Sequence, residues 1–483
     1  MYLIKDSYVL FLTSALSALI AFLSGIWLRN ILGPEEYGMW LVFSLVLTYG
    51  YVMHLGILDS FNRDIPLLTG QKKHEQVAHI RNVVFSWMAL SGVLSIVAVV
   101  IVLFMYMPLA TKIFAVIALL LIPIQNMTLY HNAIFLTMQE FKGVAMIQFI
   151  IGCVQYILMT VFSVYLGLLG LFIGVVLGNI LAITYARFRL KFRLTFTLDK
   201  KLLIKMMSIG FPITMVTIFL SVFTTLDRLI ILYFFDSTAV GFYGITAFVY
   251  QGIMVLPKVL HQVAYPKISY TYGKVKSKKA LKKLILNPTV YLSYYSPFTL
   301  GVIYLGLPSF INNYMPQYDE GTRSAQIVTM GLFFLLWAAL FSHYLNVVNK
   351  QWLQLKLLII VVIVNILLNI GFVLQGLYIE GIALATSISY MVYPLLLMWL
   401  CFRDMSLSTK IFFKQAGTII LPFLFMVVTL FFLSHIEGHV LLLISCYVLL
   451  YSFFLFVASR FLPFLFNLPT ATFQSIMAKL NGK

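Results

Sequence analysis

A chain of 483 residues that is 62% hydrophobic and only 10% charged, with a mean hydropathy of +0.99, cannot clothe soluble domains, which average about a quarter charged residues. Disorder is excluded by the same arithmetic. A polytopic membrane protein remains, and its net charge of +18 then belongs to the loops that set topology, not to a nucleic-acid surface.

The first apolar run, about Ser7 to Leu28, is too long for a signal-peptide core and no small-residue cleavage site follows it, which predicts a retained first helix. Further apolar runs bring the expectation to about fourteen spans of roughly 20 residues each. With the N-terminus inside, 29 of the 33 Lys and Arg fall in inside segments, while Arg29, Lys112 and Arg323 lie outside and Arg228 lies within a span. That bias predicts both termini on the cytoplasmic side.

The chain reads as duplicated at a period of about 205–212 residues. Glu36-Tyr37-Gly38-Met39-Trp40 opens the second span, and Ala239-Val240-Gly241-Phe242-Tyr243 opens the eighth. In the fourth span His131 leads to Gln139-Glu140-Phe141. In the tenth His343 leads to Asn349-Lys350-Gln351-Trp352. Six spans per repeat give both halves one orientation, the parallel-repeat arrangement of many transporters. The expected organisation is a six-helix bundle over residues 1–195, a second over 196–403, and two more helices with a cytoplasmic tail over 404–483.

Catalytic signatures are absent: there is no phosphate loop, zinc pattern or nucleophile elbow. The external loops are short, the longest running roughly from Ser309 to Thr322. A membrane glycan polymerase or ligase would need a larger external platform, so no enzyme, cofactor or catalytic residue is expected. Cys153, Cys401 and Cys446 lie far apart in apolar segments and read as small hydrophobes, not as a disulfide framework or metal site.

Polar groups inside spans are costly and must face protein or water. Gln125, Thr128, Asn132 and Gln139 form a stripe in the fourth span, and Ser342, Asn346 and Asn349 repeat it in the tenth. Gln125, Asn132 and Asn346 are therefore candidates for a polar cavity, with interhelical hydrogen bonding as the alternative. A second set sits near span ends. Arg29 closes the first helix, Asp227 and Arg228 lie in the outer third of the seventh, Asp59 and Arg63 stand one turn apart at the inner end of the second, and Lys258 and His261 share a face at the inner end of the eighth. The basic groups suit an anionic substrate, guanidinium suiting phosphate best; Asp59 and Asp227 are candidates for coupling or for ion pairs. Snorkelling, or pairing of Arg29 with Glu35 or Glu36, Asp59 with Arg63 and Asp227 with Arg228, is the structural alternative. Gly170, Gly174, Gly178, Ala182 and Ala186 predict a close-packing face, and Pro123, Pro212, Pro297, Pro394 and Pro422 fall within spans.

Ile31-Leu32-Gly33-Pro34-Glu35-Glu36-Tyr37-Gly38, then Leu55-Gly56 with Asp59 and Arg63, resembles the opening of bacterial polysaccharide exporters, the O-antigen flippases. Asp227-Arg228 followed by Gly241-Phe242-Tyr243 is similar to that family's seventh-to-eighth helix region. Asn365-Ile366-Leu367-Leu368-Asn369-Ile370, Gly376 and Gly381-Ile382-Ala383-Leu384-Ala385-Thr386 look like its eleventh and twelfth helices. The resemblance implies the fold of the multidrug/oligosaccharidyl-lipid/polysaccharide superfamily, an all-α membrane protein with two six-helix bundles in a V and two extra helices. It also implies translocation of an undecaprenyl-diphosphate-linked oligosaccharide across the bacterial inner membrane, with membrane lipids and other polysaccharide-assembly membrane proteins as further partners. Two rivals are a drug/cation antiporter of the same fold and, less favoured, the glycan polymerase or ligase.

Overall fold

The computed structural model describes residues 2–190, 192–275, 277–436 and 438–461. Among the described residues the chain is helical almost throughout and has no strand: α1 (Tyr2–Gly50), α2 (Ile57–Gly70), α3 (His74–Phe104), α4 (Leu109–Thr137), α5 (Phe141–Phe149), α6 (Gln155–Leu166), α7 (Leu168–Arg189), α8 (Lys200–Phe234), α9 (Ser237–Val275), α10 (Lys282–Tyr314), α11 (Thr322–Val347), α12 (Gln351–Leu374), α13 (Ile379–Asp404), α14 (Thr409–Leu433) and α15 (Val440–Phe461).

α1 has two arms. They meet at Gly33, whose φ of 70° and ψ of 175° are open essentially to glycine alone, and Pro34 follows with no N–H to carry the helical ladder on. The second arm runs through a 3-10 turn, Tyr51–His54, into α2. α5 and α6 form one rod across a π-turn at Ile150–Val154. Counted this way the described helices make fourteen rods. Among the described residues eleven helices are long and apolar enough to cross a membrane, and the first of these, Leu12–His54, has 43 residues, length for two crossings. The chain is a multi-pass membrane protein. Exposed faces such as Val93, Val97 and Val100 on α3, or Leu449, Phe453 and Phe456 on α15, are too extensive for water.

The backbone repeats one conformation at the spacing of the expected duplication. Gln139, between α4 and α5, is left-handed with φ 58°, and so is Asn349, between α11 and α12. Gly167 after α6 and Gly376 after α12 repeat the pattern with φ 55° and 82°.

The helices group into two compact units. One holds Met1–Val255, Ile311–Val328 and Asn349–Ser389; the other holds Leu256–Phe310, Thr329–Val348 and Tyr390–Lys483. In the first, Ile57, Phe61, Val83, Val84, Tyr130 and Phe135 form part of a core shared by α2, α3 and α4. α7 lies on α6 along the small-residue face its spacing predicts: a methyl group at Gly170, Gly174 or Gly178 would overlap Phe162, Met159 or Gln155, and Ala182 and Ala186 are fully buried.

The segment leading into α8 is strapped along α3. Asn82 donates to Thr195 at 2.7 Å, the Thr197 N–H donates to Ser86 Oγ at 2.7 Å, and the Arg81 guanidinium lies 3.4 Å over the Phe192 ring. Asp199 finishes the strap. It caps α8 by accepting from the Leu202 N–H at 3.0 Å and pairs with His79 at 3.1 Å. The Leu202 bond and then the His79 bond hold its carboxyl below the usual aspartate range, so the cap persists above that range and is lost as pH falls through the lowered value. Asp199→Ala should speed tryptic cleavage at Arg193, Lys200 and Lys201 several-fold, and Asp199→Asn, still able to cap, should speed it less. Equal cleavage in all three proteins would remove the strap.

In the second unit Tyr447 and Tyr451 on α15 donate to the backbone carbonyls of Pro297 at 2.6 Å and Tyr294 at 2.9 Å on α10. Asp404, at the end of α13, takes Lys278 at 2.9 Å and the Tyr344 hydroxyl at 2.6 Å. Pro123, Pro212, Pro297, Pro394 and Pro422 all lie inside helices.

Candidate functional site

Within the first unit, helices of both repeats meet around Arg29. The side chain leaves the first arm of α1 one turn before Gly33 and is 3% exposed. Its guanidinium donates to the carbonyl of Gly25 on its own helix at 2.9 Å and to that of Gly244 on α9 at 3.3 Å. It also lies 4.4 Å over the Tyr37 ring and 4.7 Å over the Phe248 ring. The Tyr318 hydroxyl donates to the Arg29 carbonyl at 3.2 Å. Nε has no hydrogen-bond partner. Neither Glu35 nor Glu36 neutralises the charge: both are exposed, and Glu36 instead accepts from the Leu168 N–H at 3.2 Å. Carbonyls and two π faces thus compensate a buried cation.

Arg228 reaches the same place from the second repeat. Its electrostatic neighbours are Tyr37, Asp227, Tyr243 and Tyr49. Arg29 therefore lies over the Tyr37 ring, and Arg228 is near the same tyrosine. Asp227 beside them is 3% exposed and, among the described ion pairs, has no basic partner. One carboxylate oxygen accepts from the Tyr243 hydroxyl at 2.7 Å and the Thr386 hydroxyl at 2.8 Å; the other is buried and unpaired. The Asn369 amide faces this carboxylate. Asn369 donates to Asn365 at 3.1 Å, and Asn365 to Ser389 at 3.2 Å. α8, α9, α12 and α13 thus build one buried polar network.

The backbones around Arg29 are in glycine contact. A methyl group at Gly38 would overlap the Ser237 carbonyl, and one at Gly241 the Pro34 carbonyl. Only residues without a side chain allow the start of α9 to seat on the second arm of α1.

At the opposite end of α1 and α8, Asp59 does not pair with Arg63. It accepts from Tyr51 at 3.2 Å and from Thr214 of α8. Arg63 is exposed and pairs with its neighbour Asp64 at 3.4 Å. It lines a cleft of about 680 Å³ that also holds Asp64, Glu75, His79, Asp199 and Lys205.

The expected stripe on α4 is half-buried at Gln125 and Asn132, and the Asn132 carbonyl oxygen has no partner. Thr128 donates back to Ile124 at 3.2 Å, the ordinary way a hydroxyl is satisfied inside a helix. Asn346 belongs to the second unit and is exposed. The side chains of Lys258 and His261 lie outside the described residues. Among the described residues no group of His, Cys, Asp or Glu could hold a metal ion.

Tyr37, Tyr243, Tyr318 and Thr386 were not among the residues expected to form a site. Asn365 and Asn369 carry the one signal that could have found this network, two amides a single turn apart in a helix otherwise apolar.

Residues 28–308 match the profile of a family described as "Polysaccharide biosynthesis protein". Comparison with curated protein sequences finds no match. Among solved structures the chain is similar to the lipid II flippase MurJ in an inward closed conformation, with a TM-score of 0.70 and 16% identity over 95% of this chain and 99% of that one. It is also similar to an inward-facing multidrug resistance MATE family transporter of the MOP superfamily, with a TM-score of 0.68 and 14% identity over 81% and 94% of the two chains. A MOP superfamily transporter from Pyrococcus furiosus follows at 0.63 and 14% over 84% and 95%. At these identities the likeness is one of fold.

Proposed function

Because the chain belongs to the polysaccharide biosynthesis protein family, we propose that it is a flippase carrying an undecaprenyl-diphosphate-linked oligosaccharide, an O-antigen or similar repeat unit, across the bacterial inner membrane. The observation that supports this most is that buried Arg29 lies over the Tyr37 ring and Arg228 is near the same tyrosine, with no carboxylate salt-bridged to either among the described residues. Two guanidiniums can grip a diphosphate by paired N–H donation. A drug cation would be repelled from the same place.

The physical task fits such a site. A diphosphate and a polar glycan cannot cross about 30 Å of hydrocarbon unaided, whereas the lipid tail can remain in the bilayer. The protein need shelter only the headgroup, in a polar path that opens to one side at a time. In this reading the Arg29 end faces outward, Arg63, Lys258 and His261 receive the headgroup at the cytoplasmic end, and Gln125, Asn132 and Asn346 line its path. The two sequence repeats rock about the site, with Asp59 and Asp227 as the coupling carboxylates. Removing Asp227 would free the Tyr243 and Thr386 hydroxyls together, so Asp227→Ala should stop export. Asp227→Asn, which keeps the hydrogen bonds and loses the charge, should stop it too if coupling needs an ionisable group, and spare it if the role is structural. Complementation of a flippase-deficient strain supplied with defined repeat-unit gene sets tests the whole reading: restored surface glycan is expected, and failure with every set would overturn it.

A further inference from the structure

The second transmembrane rod is broken in its middle. After α1 the chain makes the turn Tyr51–His54 and passes through two successive left-handed residues, Leu55 at φ 48° and Gly56 at φ 81°, before α2 begins. A leucine in this region is strained, so something must hold it there. The holder is His54. Its ring is fully buried, and Nδ1 accepts the Gly56 N–H at 3.0 Å. An accepting Nδ1 puts the ring proton on Nε2, and Nε2 has no partner.

The ionisable groups facing this ring are Tyr51, packed edge-on with centroids 4.1 Å apart, and Asp59, whose carboxylate favours a charge on it. The groups that other helices bond to this stretch are uncharged: Ser95 of α3 bonds Met53, Asn126 of α4 bonds the Gly50 carbonyl, and Thr214 of α8 bonds Asp59. The bend sets the second repeat against the first. Gly56 and Gly210 approach so closely that a methyl group on either would overlap the other's backbone.

We propose that His54 is the proton-binding group of a switch at this break, with Asp59 as its counter-charge, and that protonation releases α2 from α8. A proton from the aqueous phase adds to Nδ1. The imidazolium has two donors and no acceptor, so the Gly56 N–H loses its partner and faces a second N–H. The turn that held Leu55 and Gly56 left-handed must then rearrange. The buried cation draws Asp59, the one carboxylate facing it, away from the Thr214 hydroxyl. That bond joins α2 to α8 beside the glycine contact, so the seam loosens. Deprotonation restores it. The switch rests on the geometry of the rod and not on which headgroup is carried, so its failure would leave the flippase reading standing.

The test uses the full chain in liposomes, with Cys153, Cys401 and Cys446 replaced by serine and spin labels on Asn62→Cys of α2 and Ser208→Cys of α8. Between pH 8 and pH 4 the ratio of near to far distance populations should change about tenfold. His54→Gln should hold the pH 8 distribution throughout, and Asp59→Asn should lose the acid-favoured one. Nitrogen-15 NMR of histidine-labelled protein gives a reading that needs no variant to fold: one buried ring should pass from the Nε2–H form to the doubly protonated form over the same range. A parent distribution unchanged by pH, a His54→Gln protein that titrates like the parent, or a ring that never gains its second proton would each overturn the proposal.

Discussion

Arg29→Ala should lower export of the lipid-linked glycan about tenfold or more while the chain still accumulates, since hydrogen bonds to a charged group are worth roughly 1.5–3 kcal/mol each. The side chain is buried, ties α1 to the Gly244 carbonyl of α9 and presents a cation beside Tyr37. Arg29→Lys keeps the charge and loses the paired donors, so it should restore part of the activity if charge dominates and almost none if bidentate geometry does. Arg228→Ala should behave like Arg29→Ala. Arg63→Ala should also lower export, as loss of a headgroup-receiving cation, but should leave accumulation unchanged, because Arg63 is exposed and its pair with Asp64 is of the surface kind worth about 0–1 kcal/mol. Surface-glycan export and membrane-fraction immunoblots check all four. Normal export from Arg29→Ala would leave Arg29 a structural side chain, and a variant that fails to accumulate would make it a folding determinant.

Gly38→Val and Gly241→Val should abolish export by a different route. Each would drive a side chain into the backbone of the opposite repeat, at Ser237 or at Pro34, and backbone cannot move aside as a flexible side chain can. Overpacking of this kind costs at least about 1–3 kcal/mol, enough to hold the helices apart at the Arg29 end in an otherwise folded protein. Ala239 is fully buried beside this seam. A cysteine placed there should resist a membrane-impermeant maleimide in the parent and react at least about tenfold faster beside Gly38→Val, a shift of roughly 1.4 kcal/mol in the closing equilibrium. Full export with an unreactive cysteine would mean that the seam tolerates a side chain and is not a closure.

The span pattern was legible because it rests on a long periodic signal that a membrane imposes on every helix. The left-handed residues at Gln139 and Asn349 mark the same joint twice. Arg29, Arg228, Asp59 and Asp227 were legible as candidates because a charge in an apolar run stands out. Their partners were not. Asp227 and Arg228 are neighbours in sequence but point about 100° apart around a helix, so Asp227 turns to Tyr243 and Thr386 while Arg228 faces Tyr37. Asp59 and Arg63 sit at the spacing of a helical pair, yet Thr214 of a distant helix takes Asp59. With 28 tyrosines in the chain, only the fold distinguishes Tyr37 and Tyr318 from those that meet lipid. His54 offered no pattern at all, since its role depends on a break in the helix that apolar flanks conceal.

Transfer of the headgroup itself is the most direct measurement. Purified protein reconstituted into liposomes with a fluorescent undecaprenyl-diphosphate oligosaccharide in both leaflets should make the inner-leaflet headgroups accessible to an external quencher. Arg29→Ala should slow that exchange about tenfold or more, and Gly38→Val should stop it. Inner-leaflet headgroups that stay protected in the presence of folded protein, while the same vesicles exchange a drug cation for protons, would contradict a lipid-linked substrate and leave the antiporter in its place.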